Sequence, residues 1–297
     1  MKYYNNNSSI LNLFFLSYML LFFISCDEKQ ESSNSEPTEI NFVNDKIKER
    51  TKTEILVCAH RAYHKLAPEN SIASIEKAIE ANIDIVEVDV SATKDGVLIL
   101  MHDNSIYRTT NGQGYVSDLT FAEINKLFLK INDSVTTHKI PTLNEVLAVA
   151  KDKVILNLDI KNVEISKLYQ QLKLYNMQNE VFSFIWDREK IKAMIAIDST
   201  YAVLPEVSNR EEIAYYLENV VSKLQHFNEQ SFTNENVTWA KTQGIEIFMN
   251  SLFEIDTEFV NGNTRNIDKI IDLKPAIIQT DHPLLLKEYL KSKGLHN

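Results

Sequence analysis

The sequence predicts a TIM-type (β/α)8 barrel, and three observations carry that prediction. From residue 55 onward, short apolar strand-like runs alternate with amphipathic helical patterns close to eight times. The strand runs are apolar on both faces, as strands of a parallel sheet are when helices cover one side and a packed interior fills the other. The residues best suited to chemistry, His60, Glu87, Asp89, His102 and Asp159, all fall at or near the C-terminal ends of such runs, where barrel enzymes assemble their sites. A barrel needs roughly 250 residues, and residues 53–297 supply that span.

The chain begins with a different kind of segment. Residues 10–24 form an apolar run rich in Leu and Phe and ending in Phe23-Ile24-Ser25-Cys26. Fifteen residues are short for a membrane-spanning helix, which needs about 20, and fit the apolar region of a signal peptide. The run resembles a bacterial lipobox, which implies removal of residues 1–25, lipidation of Cys26 and anchoring in the cell envelope, on its periplasmic or outer face. Phe23 stands where Leu is usual. Residues 26–52 contain EKQESSNSEPTE, polar and without apolar periodicity, and are expected to be a disordered tether.

The barrel pattern then runs in order. Residues 55–59 are the first strand, 70–81 a helix and 83–90 the second strand. Lys94-Asp95-Gly96 is a turn, and 97–101 a third apolar run ending in His102. Residues 104–139 break the rhythm, with Arg108-Thr109-Thr110-Asn111-Gly112-Gln113-Gly114 and a short helix at 121–128. The alternation resumes with helix 144–151 and strand 154–160, helix 163–175 and strand 181–186, helix 188–197 and strand 201–204. It continues with helix 211–219 and strand 222–227, helix 234–242 and strand 245–250, helix 266–273 and strand 276–279, and the last helix 282–293.

Composition excludes several classes. Apolar residues at 44% and charged residues at 24% are ordinary for a globular chain. A net charge of −10 argues against nucleic acid and against an electrostatic grip on anionic lipid. Cys26 has its own explanation, and Cys58, inside an apolar strand, reads as a buried free thiol.

Residues 59–103 carry the chemistry. Glu87 and Asp89 stand at i and i+2 of a strand, so both carboxylates share a face and can hold one cation. Val86, Val88 and Val90 on the other face argue that the pair is buried, and buried carboxylates need a counter-charge. Arg61 offers a planar fork of donors suited to phosphate oxygens. His60 and His102 each follow an apolar run. Glu69 and Asn70 are placed either to face the cation or to cap the helix that starts there. Trp186 and Phe248, near strand ends, line the cleft or simply pack. His64, His138, His226, His282 and His296 read as structural.

In order along the chain stand His60-Arg61-Ala62, Pro68-Glu69-Asn70-Ser71, Glu87-Val88-Asp89, Thr93-Lys94-Asp95-Gly96 and His102-Asp103. This set resembles the motifs of the glycerophosphodiester phosphodiesterase family, over nearly all of the chain from residue 55. The resemblance implies a TIM barrel with a small inserted subdomain at about 104–139. It implies hydrolysis of a glycerophosphodiester to glycerol 3-phosphate and an alcohol. It makes Asp159 the third metal ligand, where the family has Glu, and Lys161 a phosphate or transition-state contact. Ala62 stands where the family has Gly. Three carboxylates suit Mg²⁺, Ca²⁺ or Mn²⁺ and not zinc. His60 and His102 would share acid and base duties; which does which, and whether water or the glycerol 2-hydroxyl attacks, is open in the sequence. A lipid-acting phosphodiesterase of the phospholipase or sphingomyelinase-D kind and a non-catalytic binding lipoprotein are the other readings. The inserted segment weighs against the first of these, and the complete His, Glu and Asp set against the second.

Overall fold

The computed structural model describes residues 42–297. The apolar run 10–24, the rest of the expected signal peptide, Cys26 and the start of the expected tether lie outside the described residues. Within them no helix is long and apolar enough to cross a membrane.

The description begins with a helix, α1 (Phe42–Arg50), where the tether was expected to continue to residue 52. Val43 and Ile47 lie four apart and so share a face. Both are buried, against Leu56, Ile85, Phe182 and Phe248 of the barrel interior. Two apolar positions in a polar stretch are too short a pattern to read as a helix; the apolar surface beneath makes it one. Arg50 secures its end, with Nη2 2.7 Å from both Glu54 Oε2 and Asp84 Oδ1.

The chain continues through β1 (Leu56–Ala59), α2 (Ile72–Glu80), β2 (Ile85–Ala92) and β3 (Leu98–Leu100). After α3 (Phe121–Ile124) and the hairpin β4 (Lys130–Ile131) and β5 (Ser134–Val135), regular alternation resumes. It runs through α4 (Leu143–Ala150), β6 (Ile155–Ile160), α5 (Ile165–Leu174), β7 (Val181–Phe184) and α6 (Arg188–Ile197). Then come β8 (Val203–Leu204), β9 (Glu206–Val207), α7 (Arg210–Asn219), β10 (Leu224–Phe227), α8 (Asn234–Thr242) and β11 (Glu246–Asn250). The last elements are α9 (Glu254–Val260), α10 (Arg265–Asp272), β12 (Ile277–Thr280) and α11 (Pro283–Ser292).

The strands pair in the ring order β1, β2, β6, β7, β8 with β9, β10, β11, β12, and β12 pairs again with β1. Every pairing in the ring is parallel. β8 and β9 are one barrel strand divided at Pro205, which has no N–H to give; its carbonyl accepts from His226 N at 2.9 Å. The fold is thus a TIM barrel. The apolar run 97–101 lies outside the ring, since β3 pairs antiparallel to β2. α9, which the sequence did not suggest, buries Asp256 and Phe259.

Alternation along β2 separates two cores. Val86, Val88 and Val90 are fully buried against the surrounding helices, while the intervening residues face the barrel interior. β3 and the residues between it and α4 carry a small apolar cluster of their own, including Ile99, Met101, Ile106, Ile124 and Leu129.

Candidate active site

The loop after β1 makes an unusual turn. Arg61 (φ 49°) and Ala62 (φ 62°) both adopt left-handed backbone, which disfavours a residue with a Cβ by about 1 kcal/mol. Two hydrogen bonds hold them there: Arg61 N donates to Glu87 Oε2 (2.6 Å), and Ala62 N to Glu87 O (2.9 Å). The positive φ that would make Gly the natural choice at position 62 is therefore present, and Ala occupies it.

Asn70, also left-handed (φ 54°), does not cap the helix. Ser71 caps α2 instead, its hydroxyl accepting from Ser74 N at 3.0 Å. Asn70 clasps Asp89: its Nδ2 donates to Oδ2 (2.7 Å) and its Oδ1 accepts from Asp89 N (2.9 Å). Glu69 accepts from Arg61 Nη1 at 3.1 Å and from both terminal nitrogens of Arg108 at 2.6 and 2.8 Å. It stands outside the carboxylate cluster.

That cluster is Glu87, Asp89 and Asp159, each offering an oxygen within 4.8 Å of the others. The register explains it. Glu87 lies opposite Asn157, and Asp89 opposite Asp159, on adjacent parallel strands. Lys161 Nζ lies 2.9 Å from Asp89 Oδ1 and 2.6 Å from Asp159 Oδ2. Burial and the charges of Asp89 and Asp159 push the Glu87 carboxyl well above its usual range. Burial works the same way on Asp89, but Lys161, His102 and Asn70 outweigh it and hold Asp89 low.

Both histidines are held through Nδ1 by a carboxylate. His60 Nδ1 lies 2.7 Å from Asp281 Oδ1, just beyond β12; His102 Nδ1 lies 2.7 Å from Asp103 Oδ1. Asp281 is partly buried, which opposes ionisation, yet its hydrogen bond to His60 brings it down to about 2. Asp103 is also held at about 2, first by its hydrogen bonds to Arg108. An ionised carboxylate only accepts, so Nδ1 is the donor in each of these two bonds.

Sequence reasoning assigned no role to Asp281, Asp103, Arg108 or Asp256. Arg108 donates Nε to Asp103 Oδ2 (2.7 Å) and Nη2 to Asp103 Oδ1 (2.9 Å) while gripping Glu69. Asp256, on α9, accepts from Asp281 N (2.7 Å), Thr280 Oγ1 (2.8 Å) and Ser251 Oγ (2.7 Å), fixing the turn that carries Asp281. An acidic residue directly after the last apolar strand was the available signal for Asp281, since β12 neighbours β1.

A cavity of about 320 Å³ joins these groups. His60, Arg61, Glu87, His102 and Asp159 line one part, and Trp186, Glu206, His226, Phe248 and Phe253 another. His64 is not a lining residue; its Nδ1 bonds the carbonyl of His60 at 2.9 Å. His226, read as structural, is buried and also lines the cavity.

The profile of the Glycerophosphoryl diester phosphodiesterase family matches residues 60–262. The chain belongs to this family. A glycerophosphodiester phosphodiesterase from Caldanaerobacter subterraneus is 41% identical over 135 residues, 42% of this chain and 56% of the relative; the match thus spans about half of that relative's length. Among solved structures, a glycerophosphoryl diester phosphodiesterase from Parabacteroides distasonis superposes with a TM-score of 0.75 at 24% identity, covering 84% of this chain and 92% of that one. An Oleispira antarctica phosphodiesterase, solved with sn-glycerol-3-phosphate as product, gives 0.70 at 24% identity, covering 82% and 99%. These structural likenesses concern the fold.

The glycerophosphodiesterase-family site has room in its bonding for two ions of opposite sign. Among its buried polar atoms, Asp159 Oδ1 and Arg61 Nε find no hydrogen-bond partner in the protein. Arg61 Nε is 3.9 Å from Asp89 Oδ2, too far to bond. Three converging carboxylates fit a hard divalent cation, and a free guanidinium nitrogen fits a phosphate oxygen.

Proposed function

We propose that the chain hydrolyses glycerophosphodiesters to glycerol 3-phosphate and an alcohol, with Glu87, Asp89 and Asp159 holding one divalent cation (Mg²⁺, Ca²⁺ or Mn²⁺). The observation that carries this reading is the convergence of the three carboxylates, two of which, Glu87 and Asp159, line one cavity with His60 and His102. The family match and the product in the Oleispira structure point to the same substrate class. When bound, the cation neutralises phosphate charge and so eases attack at phosphorus.

The protein's own groups do the rest. Arg61 and Lys161 meet the phosphate oxygens, Arg61 through the nitrogen that lacks a protein partner. His60 and His102 exchange protons at Nε2, one taking a proton from the attacking hydroxyl and the other giving one to the departing alcohol. Asp281 and Asp103 hold the rings in the required tautomer.

The test is release of glycerol phosphate from glycerophosphocholine by the full chain. It is run with chelator, then with Mg²⁺, Ca²⁺ or Mn²⁺ restored, beside His60→Ala. The expected outcome is chelator-sensitive turnover that the substitution removes. Absence of turnover with every cation, on this and other glycerophosphodiesters, would defeat the reading.

We also propose that the chain is a lipoprotein of the bacterial cell envelope, held to a membrane only through lipid on Cys26. The apolar run 10–24 and the residues up to Cys26 support this. Incorporation of labelled fatty acid should be lost in Cys26→Ser; equal labelling of both forms would refute it.

A further inference from the structure

The half of the ring across from β2 has a different chemistry. Trp186, Phe184, His226 and Phe248 form a continuous chain of edge-to-face rings, with successive centroids 5.1, 5.3 and 5.3 Å apart. All four line the cavity. Trp186 is 64% exposed at its mouth. Phe253, 80% exposed, stands beside the cavity on a strained backbone (φ 63°, ψ −112°). An exposed phenyl ring held in a backbone region that disfavours it points to a use for the ring.

One carboxylate is set against this aromatic wall. Glu206 accepts one long hydrogen bond, from Asn228 Nδ2 at 3.3 Å. Its other oxygen, Oε2, lies 3.7 Å from His226 Nδ1, beyond bonding range. That Nδ1 belongs to a side chain buried by more than nine-tenths and has no protein partner. Burial holds His226 neutral, with its pKa lowered to about 4, so it is no counter-ion. Among the described residues lining the cavity, Arg61 is the sole arginine or lysine, and it is engaged with Glu69. Glu206 is therefore a carboxyl group with aromatic neighbours and no cation, and burial raises its pKa, as expected of a carboxylate left without a counter-ion.

We propose that this wall is the head-group subsite, and that it selects diesters whose alcohol carries an ammonium or trimethylammonium group, with Glu206 as counter-ion and Trp186, Phe184 and Phe253 as aromatic contacts. The inference rests on the hydrolase reading above and adds the class of alcohol to it. Ring faces attract cations, most strongly where water is excluded. A carboxylate with no partner strengthens that attraction, whereas a neutral polyol head group gains hydrogen bonds alone. The cation lies among rings, so a methylated ammonium is accepted as well as a primary one.

The test compares kcat/KM on glycerophosphocholine, glycerophosphoethanolamine and glycerophosphoglycerol for the full chain and for Glu206→Gln and Trp186→Leu. The wild-type protein should prefer the two cationic substrates to the neutral one by about tenfold, mainly through KM. Glu206→Gln should bring that ratio close to one. Trp186→Leu should lower it more for choline than for ethanolamine. A wild-type ratio at or below one, or a ratio that Glu206→Gln leaves in place, would overturn the proposal. If no diester is turned over, the hydrolase reading fails and binding decides this one. Choline is then titrated against Trp186 fluorescence in a Trp239→Phe background. Saturable quenching that Glu206→Gln abolishes supports the subsite, and its absence refutes it.

Discussion

The two ends of the barrel are built from the same strands and behave as opposites. At the N-terminal end, α1 seals the ring with Val43 and Ile47, and the charged groups there are matched. Asp84 accepts from Val57 N (2.8 Å), Arg50 Nη2 (2.7 Å) and His296 Nε2 (2.8 Å). At the C-terminal mouth, buried polar atoms of Arg61, Asn157, Asp159, His226 and Asn250 are without protein partners, and Arg61, Ala62, Asn70 and Phe253 adopt left-handed backbone. Unmatched polarity and strain are costly in a buried setting. Left-handed residues also stand before the strands at the closed end, at Asn82, Asp152, Asn176 and Lys274, but the five unmatched atoms at the mouth all belong to residues that line the cavity, where a ligand can satisfy them.

The contrast can be broken first at the mouth. His60→Ala and His102→Ala should each lower kcat by about 10²–10⁴-fold with only a modest drop in melting temperature, from the lost pairing with Asp281 or Asp103. Steady-state kinetics beside calorimetry checks both halves of that statement, and a large drop in melting temperature would mean the histidines also hold the fold together. The converse substitution is Ile47→Ala. It should cost about 2–5 kcal/mol in denaturant unfolding and leave turnover intact at low temperature. A loss below about 1 kcal/mol would show that α1 lies on the barrel without sealing it.

Acid distinguishes the ends less sharply than alkali. Asp281 and Asp103 titrate at about 2 when folded, below the ordinary aspartate value, so their stabilisation is complete above that ordinary value. It is lost as pH falls toward 2, because the unfolded chain takes up the protons first. Burial opposes ionisation of Asp84, but His296 and Arg50 hold it low, so the closed end weakens in acid too. His296 is raised by its bond to Asp84, and its contribution is full below the ordinary histidine value and fades as pH rises through the folded one. Melting temperature against pH should therefore lose part of its acid limb in Asp281→Asn and part of its alkaline limb in His296→Ala. Unchanged limbs in both variants would remove these pairs from the account of stability. The smallest effect is expected from Ala62→Gly, which relieves a left-handed residue and should add about 0.5–1 kcal/mol. A loss instead would mean the buried methyl matters more than the strain.

Much of this was legible in the residues. The alternation of apolar strands and amphipathic helices specifies a parallel barrel because helix and strand periods are local properties. The i, i+2 spacing of Glu87 and Asp89 places two carboxylates on one face for the same reason, and the motif order supplied His60, His102 and Asp159. Other features were not legible. The antiparallel pairing of β3 outside the ring is set by its partner β2, and α1 has one turn of apolar spacing, so its helix depends on the surface beneath it. Asp281 reaches His60 across 221 positions of sequence because β12 closes the ring against β1. Likewise, four strands following one another around the ring bring Glu206 against His226 and the aromatic wall. Local sequence therefore determined which residues face inward and at which end of each strand they lie. Which of them meet was decided by closure of the barrel, because contacts around a ring are set by strand order and register between segments far apart in the chain.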